Sequence, residues 1–196
     1  MDFINSNKPS LDIIFGPMFS GKTTELIRRL TIFVEADLKV LYVNSILDSR
    51  DEVFSTHNKN ITSTLSKNID TIKTACLSDI LNSCIEYDVI GIDESQFFND
   101  LKKGCIELVE KMSKKVIVAG LNGDYRRQSF GQIIDLIPFS DNITKLYPFC
   151  KPCRETNTLQ CALFTKRIIQ SSDDSVIKIG NQDVYLPVCR KCYNDE

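Results

Sequence analysis

Leu11-Asp12-Ile13-Ile14-Phe15-Gly16-Pro17-Met18-Phe19-Ser20-Gly21-Lys22-Thr23 reads as a short apolar strand, a turn and the start of a helix. Gly16 to Thr23 matches G-x-x-x-x-G-K-[ST], the phosphate-binding loop. Gly16 and Gly21 permit backbone angles that turn successive N–H groups into one concavity. Pro17, Met18, Phe19 and Ser20 form the interior of that loop. The helix beginning near Lys22 brings its positive dipole end to the phosphates. Lys22 is placed to reach the β- and γ-phosphates, and the Thr23 hydroxyl to ligate Mg²⁺.

Outward from this loop, strand-like and helical patterns alternate, the signature of an α/β fold with a mainly parallel sheet. Thr23 to Ala36 carries Leu26, Ile27, Leu30, Phe33 and Val34 at helical spacing. Val40–Val43, Val89–Ile92 and Val116–Ala119 are further strands, apolar throughout as expected where both faces are covered. Residues 77–85 and 100–112 read as helices, the second with Leu101, Cys105, Leu108, Val109 and Met112 on one side. Residues 44–70 are polar, weakly periodic and expected to be a long connection. The character changes after about Lys145, where paired cysteines and one short strand-like stretch, Val176–Ile179, replace the alternation. The expected organisation is a nucleotide-binding α/β domain over 1–145 and a small metal-stapled lobe over 146–196.

Two further motifs carry chemistry. Val89-Ile90-Gly91-Ile92-Asp93-Glu94 ends a buried strand in two carboxylates, the Walker B arrangement. Asp93 is suited to Mg²⁺, and Glu94 to accepting a proton from an attacking hydroxyl or water; the plainer reading is that they cap the following helix. Cys150-x-x-Cys153 and Cys189-x-x-Cys192 form two knuckle-like pairs that suit a tetrahedral zinc site of four thiolates. Such a site is structural, because no coordination position is left for water. Residues 154–188 between the pairs exceed the about 15–20 of the usual ribbon, which implies a long loop held at its base. Cys84 and Cys105 read as core thiols. His57, the single histidine, reads as a loop residue, and Arg50, Arg126 and Arg127 are either charge stabilisers or solvated surface cations.

Composition narrows the classes. Twenty-four Lys and Arg against 26 Asp and Glu give a formal charge of −2, without the basic excess of a general nucleic-acid binder. No apolar run approaches the about 20 residues of a membrane span, and the first residues do not read as a signal peptide. The cytoplasm is therefore the expected compartment, where eight cysteines suit thiols or metal ligands better than disulfides.

The strings at Gly16–Leu26 and Ile92-Asp93-Glu94-Ser95-Gln96-Phe97-Phe98, with the two cysteine pairs, resemble the thymidine kinases of the cellular cytosolic and poxvirus type. The likeness runs from Ile13 to Tyr193. It implies a RecA-like core with a C-terminal zinc lobe and a long lid loop, and ATP-dependent phosphorylation of the thymidine 5′-hydroxyl. It also implies a homotetramer with dTTP as feedback inhibitor. By the same resemblance Glu94 is the general base, Asp93 the Mg²⁺-associated acid, and Arg50 the arginine near the phosphates. Met18, Phe97, Phe98, Leu121, Tyr125 and Thr165 fall in the base-pocket neighbourhood. Val176, Ile177, Lys178, Ile179 and Gly180 match the lid strand whose backbone reads the base edge, and Tyr185 matches the tyrosine at the deoxyribose end. Three readings stay beside this one: a nucleotide-switched ATPase with a zinc interaction lobe, a zinc-ribbon nucleic-acid module, and a kinase for another deoxynucleoside.

Overall fold

The apolar runs expected as strands at 11–15, 40–43, 89–92 and 116–119 all become strands whose residues alternate between two packed faces. In this computed structural model, which describes residues 8–48, 69–168 and 184–195, the strands are β1 (Ser10–Phe15), β2 (Val40–Ser45), β3 (Asp70–Thr74), β4 (Val89–Ile92), β5 (Lys115–Gly120) and β6 (Asn142–Lys145). They form one sheet in the order β3-β2-β4-β5-β1-β6, with every neighbouring pair parallel. Ile13, Leu41, Val43, Ile90, Ile92, Val116 and Val118 face one core cluster, while Ile14, Val40, Tyr42, Val89, Ile117 and Ala119 face the other. This period of two fills both layers. Helix α1 (Lys22–Glu35) covers the second face through Leu26, Ile27, Leu30 and Phe33. It ends where Asp37 turns left-handed (φ 59°).

The first face is covered by α2 (Leu101–Ile106), which widens into a π turn at Glu107–Lys111, and by 3₁₀ turns. Leu101, Cys105 and Leu108 are buried on the expected side, with Val109 and Met112 packed against them. The segment expected as a helix at 77–85 is instead two 3₁₀ turns, Leu77–Ile80 and Ser83–Glu86. The Asp100 carboxylate accepts the Leu77 and Ser78 N–H groups (3.1 and 2.9 Å), fixing the first turn from outside. Tight turns bury Leu77, Ile80 and Cys84 without a continuous helix. β3 starts at the last residue of the polar connection expected over 44–70 and runs through residues 71–74, where no strand was expected. As an edge strand it leaves most of its residues exposed, so it shows no apolar run.

Beyond β6 the chain builds α3 (Lys151–Glu155), an antiparallel ribbon of β7 (Phe164–Arg167) and β8 (Tyr185–Val188), and α4 (Arg190–Asn194). The ribbon was not legible in advance, because Thr165-Lys166-Arg167 and Leu186-Pro187 show no strand pattern. The stretch expected as a strand, Val176–Ile179, lies outside the described residues, as do Arg50 and His57.

Candidate active site

In a parallel sheet all carboxyl ends share one edge, and the crevice outside that edge is where ligands bind. β1 ends there in the phosphate-binding loop, β4 in Asp93-Glu94 and β5 in Leu121. Gly21 has φ 81°, a left-handed conformation that turns the loop into the first turn of α1. A Cβ on Gly16 would collide with the Leu146 carbonyl oxygen, so the loop packs directly onto the chain leaving β6. Lys22, only 9% exposed, donates from Nζ to the Pro17 carbonyl (2.9 Å), folding its ammonium back over the loop.

The Thr23 hydroxyl donates to Asp93 Oδ2 at 2.7 Å, joining two motifs 70 residues apart. Tyr42 OH donates to the same oxygen at 2.7 Å, and the Glu94 N–H donates to Asp93 Oδ1 at 2.9 Å. Strand alternation explains this convergence: Asp93 follows Ile92 and therefore points to the α1 side, where Tyr42 also points. Burial, reinforced by the neighbouring Glu94 carboxylate, pushes Asp93 up to about 6 against these donors. Tyr42 was not singled out from sequence. A phenol inside a strand of the second core layer was its signal, since a buried hydroxyl needs a partner.

Glu94 is partly exposed and adopts φ 47°, ψ 41°, a left-handed conformation uncommon away from glycine. Its Oε2 accepts from Gln96 Nε2 at 2.6 Å. Gln96 Oε1 in turn accepts the Leu121 N–H at 3.1 Å. Gln96 was also missed, although it stands in the Asp-Glu-x-Gln string.

The structure brings several expected pocket residues together. Thr165 on β7 accepts the Met18 N–H through Oγ1 at 3.0 Å, so the lobe touches the phosphate-binding loop itself. The Tyr125 and Tyr185 rings lie 6.5 Å apart, and Tyr193 OH donates to the Tyr125 carbonyl at 2.8 Å. Phe97 packs edge-on to Phe130 at 5.9 Å. Phe98 is fully buried in the core with Leu77 and Leu101 and so acts through packing. Arg126 sits over Tyr125 and donates from Nε to its hydroxyl at 2.9 Å. Arg127 sits over Tyr193 (4.3 Å) and Phe164 (5.5 Å). Both arginines therefore contact aromatic rings.

The cysteine pairs meet. Cys150 and Cys189 each open a short helix, which brings Cys153 and Cys192 to the same point. The four sulfurs lie within 4.8 Å of one another, with Cys153 3.5 Å from Cys192 and 3.8 Å from Cys189. Bonds of about 2.3 Å in a tetrahedron place sulfurs about 3.8 Å apart, whereas a disulfide needs about 2.05 Å. The site therefore fits zinc. The Cys192 N–H facing Cys189 brings its thiol down to about 7. The hydrogen bond shared with Cys192, with further sulfur neighbours, pushes Cys153 up to about 12. Four thiolates this close need a cation to coexist.

A family model described as thymidine kinase matches residues 9–193. The thymidine kinase of Amsacta moorei entomopoxvirus is 42% identical over 190 residues, covering 95% of this chain and 98% of that relative. Thymidine kinase 1 of Dictyostelium discoideum is 40% identical, over 95% of this chain and 78% of its own length. The thymidine kinase of Vaccinia virus (strain Western Reserve) is 38% identical, over 96% and 99%.

Proposed function

This chain belongs to the thymidine kinase family and phosphorylates thymidine; we propose that it does so by in-line transfer of the γ-phosphoryl of Mg·ATP to the 5′-hydroxyl, giving dTMP. The observation that carries the mechanism is the 2.7 Å bond between Thr23 and Asp93. It fixes the phosphate-binding loop against the strand end that bears Glu94.

In this reading the loop amides from Gly16 to Thr23 and the Lys22 ammonium bind the triphosphate. Thr23 and Asp93 would hold Mg²⁺, which supplies neutralising charge for the phosphates. Glu94 takes the proton of the 5′-hydroxyl, and Arg50 has the role of stabilising the charge that develops on the transferring group. An arginine in that role is worth about 10³–10⁵ in rate. Met18, Phe97, Leu121, Tyr125, Thr165 and Tyr185 shape the nucleoside pocket, with Phe98 behind them. The backbone of residues 176–180 reads the base. Residues 1–145 supply the phosphoryl chemistry and 146–196 the lid, stapled by zinc. Ile143 on edge strand β6, with Tyr147 and Phe149 just beyond it, is exposed, which supports assembly into the family's homotetramer. Feedback by dTTP and a cytoplasmic location complete the reading.

The test is ATP consumption by the purified protein with thymidine, deoxyuridine, deoxycytidine, deoxyadenosine, deoxyguanosine or no nucleoside. Turnover with thymidine and little with cytosine or purine nucleosides is expected. Equal hydrolysis in every tube would leave an ATPase switch protein instead. Glu94→Gln should keep ATP binding and lose nearly all turnover; near-normal turnover would remove Glu94 as the base.

A further inference from the structure

Gln96 is 4% exposed and makes one bond at each end of its amide. The Leu121 N–H can only donate, so the amide oxygen faces Leu121 and the NH₂ faces Glu94. The amide cannot swing. A Cβ on Gly120 would lie 3.0 Å from Gln96 Oε1, and one on Gly131 would lie 2.6 Å from the Gln96 Cα and carbonyl oxygen. Gly120 and Gly131 thus form a slot around it that no larger residue fits without displacement. Gly131 itself has φ 67°.

The segment between these contacts leaves β5 at Leu121, carries Tyr125, and returns at Gly131 onto the Gln96 backbone. Gln96 therefore bridges that segment and Glu94. We infer that Gln96 is a positioning residue: its NH₂ holds the Glu94 carboxylate at the angle needed to receive the nucleoside proton, and its carbonyl ties that angle to the Leu121–Gly131 segment. This inference rests on the reading of Glu94 as general base. The left-handed backbone at Glu94 gives the side chain its direction, and the 2.6 Å bond restrains the carboxylate at its end. A reacting group misplaced by about 1 Å loses about 10²-fold in rate, which sets the expected size of the effect.

The test uses Gln96→Glu, which keeps the size and the acceptor for Leu121 but replaces the donor to Glu94 with an oxygen, and Gln96→Met, which fills the slot without either bond. Both are compared with the wild type and Glu94→Gln by steady-state kinetics, nucleotide and thymidine binding, and thermal melting. The expected result is a kcat about 10²-fold lower in Gln96→Glu, with both KM values within about twofold. No further loss is expected when Gln96→Glu is added to Glu94→Gln, since the two act as one unit. If Gln96→Glu does not fold, Gln96→Met carries the same comparison. A near-normal kcat in the folded variants, a loss confined to KM, or a loss additive with Glu94→Gln would overturn the inference while leaving Glu94 as base. Near-normal turnover in Glu94→Gln itself would instead remove the reading on which it stands, and the inference with it.

Discussion

Thr165→Val should weaken the phosphate-binding loop from outside the core. Thr165 is 5% exposed and its Oγ1 accepts the Met18 N–H at 3.0 Å. Valine keeps the shape and removes the acceptor, so the loop N–H loses its partner. An unsatisfied buried donor costs about 1–3 kcal/mol. Met18 is only partly buried, so water recovers some of this and about 1–2 kcal/mol is expected. If the loop leaves its place, that energy appears as lost ATP affinity, about 5- to 30-fold at about 1.4 kcal/mol per decade. If the loop stays, the same energy appears in unfolding. Equilibrium ATP binding and urea denaturation are therefore read together, with Thr165→Ser as the rescue. Wild-type values of both in Thr165→Val would refute the reasoning.

Tyr42→Phe removes one of two hydroxyl donors to Asp93 Oδ2. At pH 8, above the Asp93 value of about 6, it should cost about 1.5–3 kcal/mol in urea unfolding, the range for bonds to charged groups; no change would mean that Thr23 is donor enough for Oδ2. Gly91→Ala puts a Cβ 2.6 Å from Leu30 Cδ1, and Leu30 is fully buried, so overpacking of about 1–3 kcal/mol is expected. At about 2–4 °C per kcal/mol the melting temperature should fall by about 2–12 °C, and an unchanged transition would show that α1 shifts freely. Elemental analysis should find zinc in the wild type and none in Cys153→Ser; equal zinc in both proteins would exclude the four-thiolate site.

The central strands were legible because they are buried on both faces and therefore apolar throughout. The phosphate-binding loop was legible because its glycines and lysine are chemically irreplaceable. Legibility failed where tertiary contacts carry the structure. β3 is an edge strand with Asp70, Thr71 and Lys73 in it, and the turn at Leu77–Ile80 is held by Asp100, far along the chain. In the site, Asp93 and Glu94 followed from a strand ending in carboxylates. Tyr42 acts through Asp93, 51 residues away, and Gln96 joins its near neighbour Glu94 to Leu121, 25 residues away; no local pattern encodes the distant partners. The ribbon β7–β8 escaped because its partners are separated in sequence and its residues mix charge, proline and aromatics.

The phosphate-binding loop is tied at two points, through Thr23 to Asp93 at the sheet and through the Met18 N–H to Thr165 of the lobe. The first is anchored in a six-stranded core and is stable without help. The second stands on a two-stranded ribbon, and an isolated hairpin of that kind is marginal in water. The cluster behind the ribbon buries only Cys150, Ala162, Val188 and Cys189, with Phe164, Leu186 and Tyr193 packed partly exposed against them, a small core for a lobe. Two of the four buried residues, Cys150 and Cys189, are candidate zinc ligands, so a bound metal would stand where a core would otherwise be. A bound metal would then act on phosphoryl transfer mechanically, by steadying the ribbon that carries the Thr165 hydroxyl, which accepts the Met18 N–H. Loss of zinc in Cys153→Ser should therefore reproduce the ATP-affinity loss of Thr165→Val, and the double variant should lose little more than either alone. Fully additive losses in binding measurements would break that chain of contacts and leave the zinc lobe independent of the phosphate site.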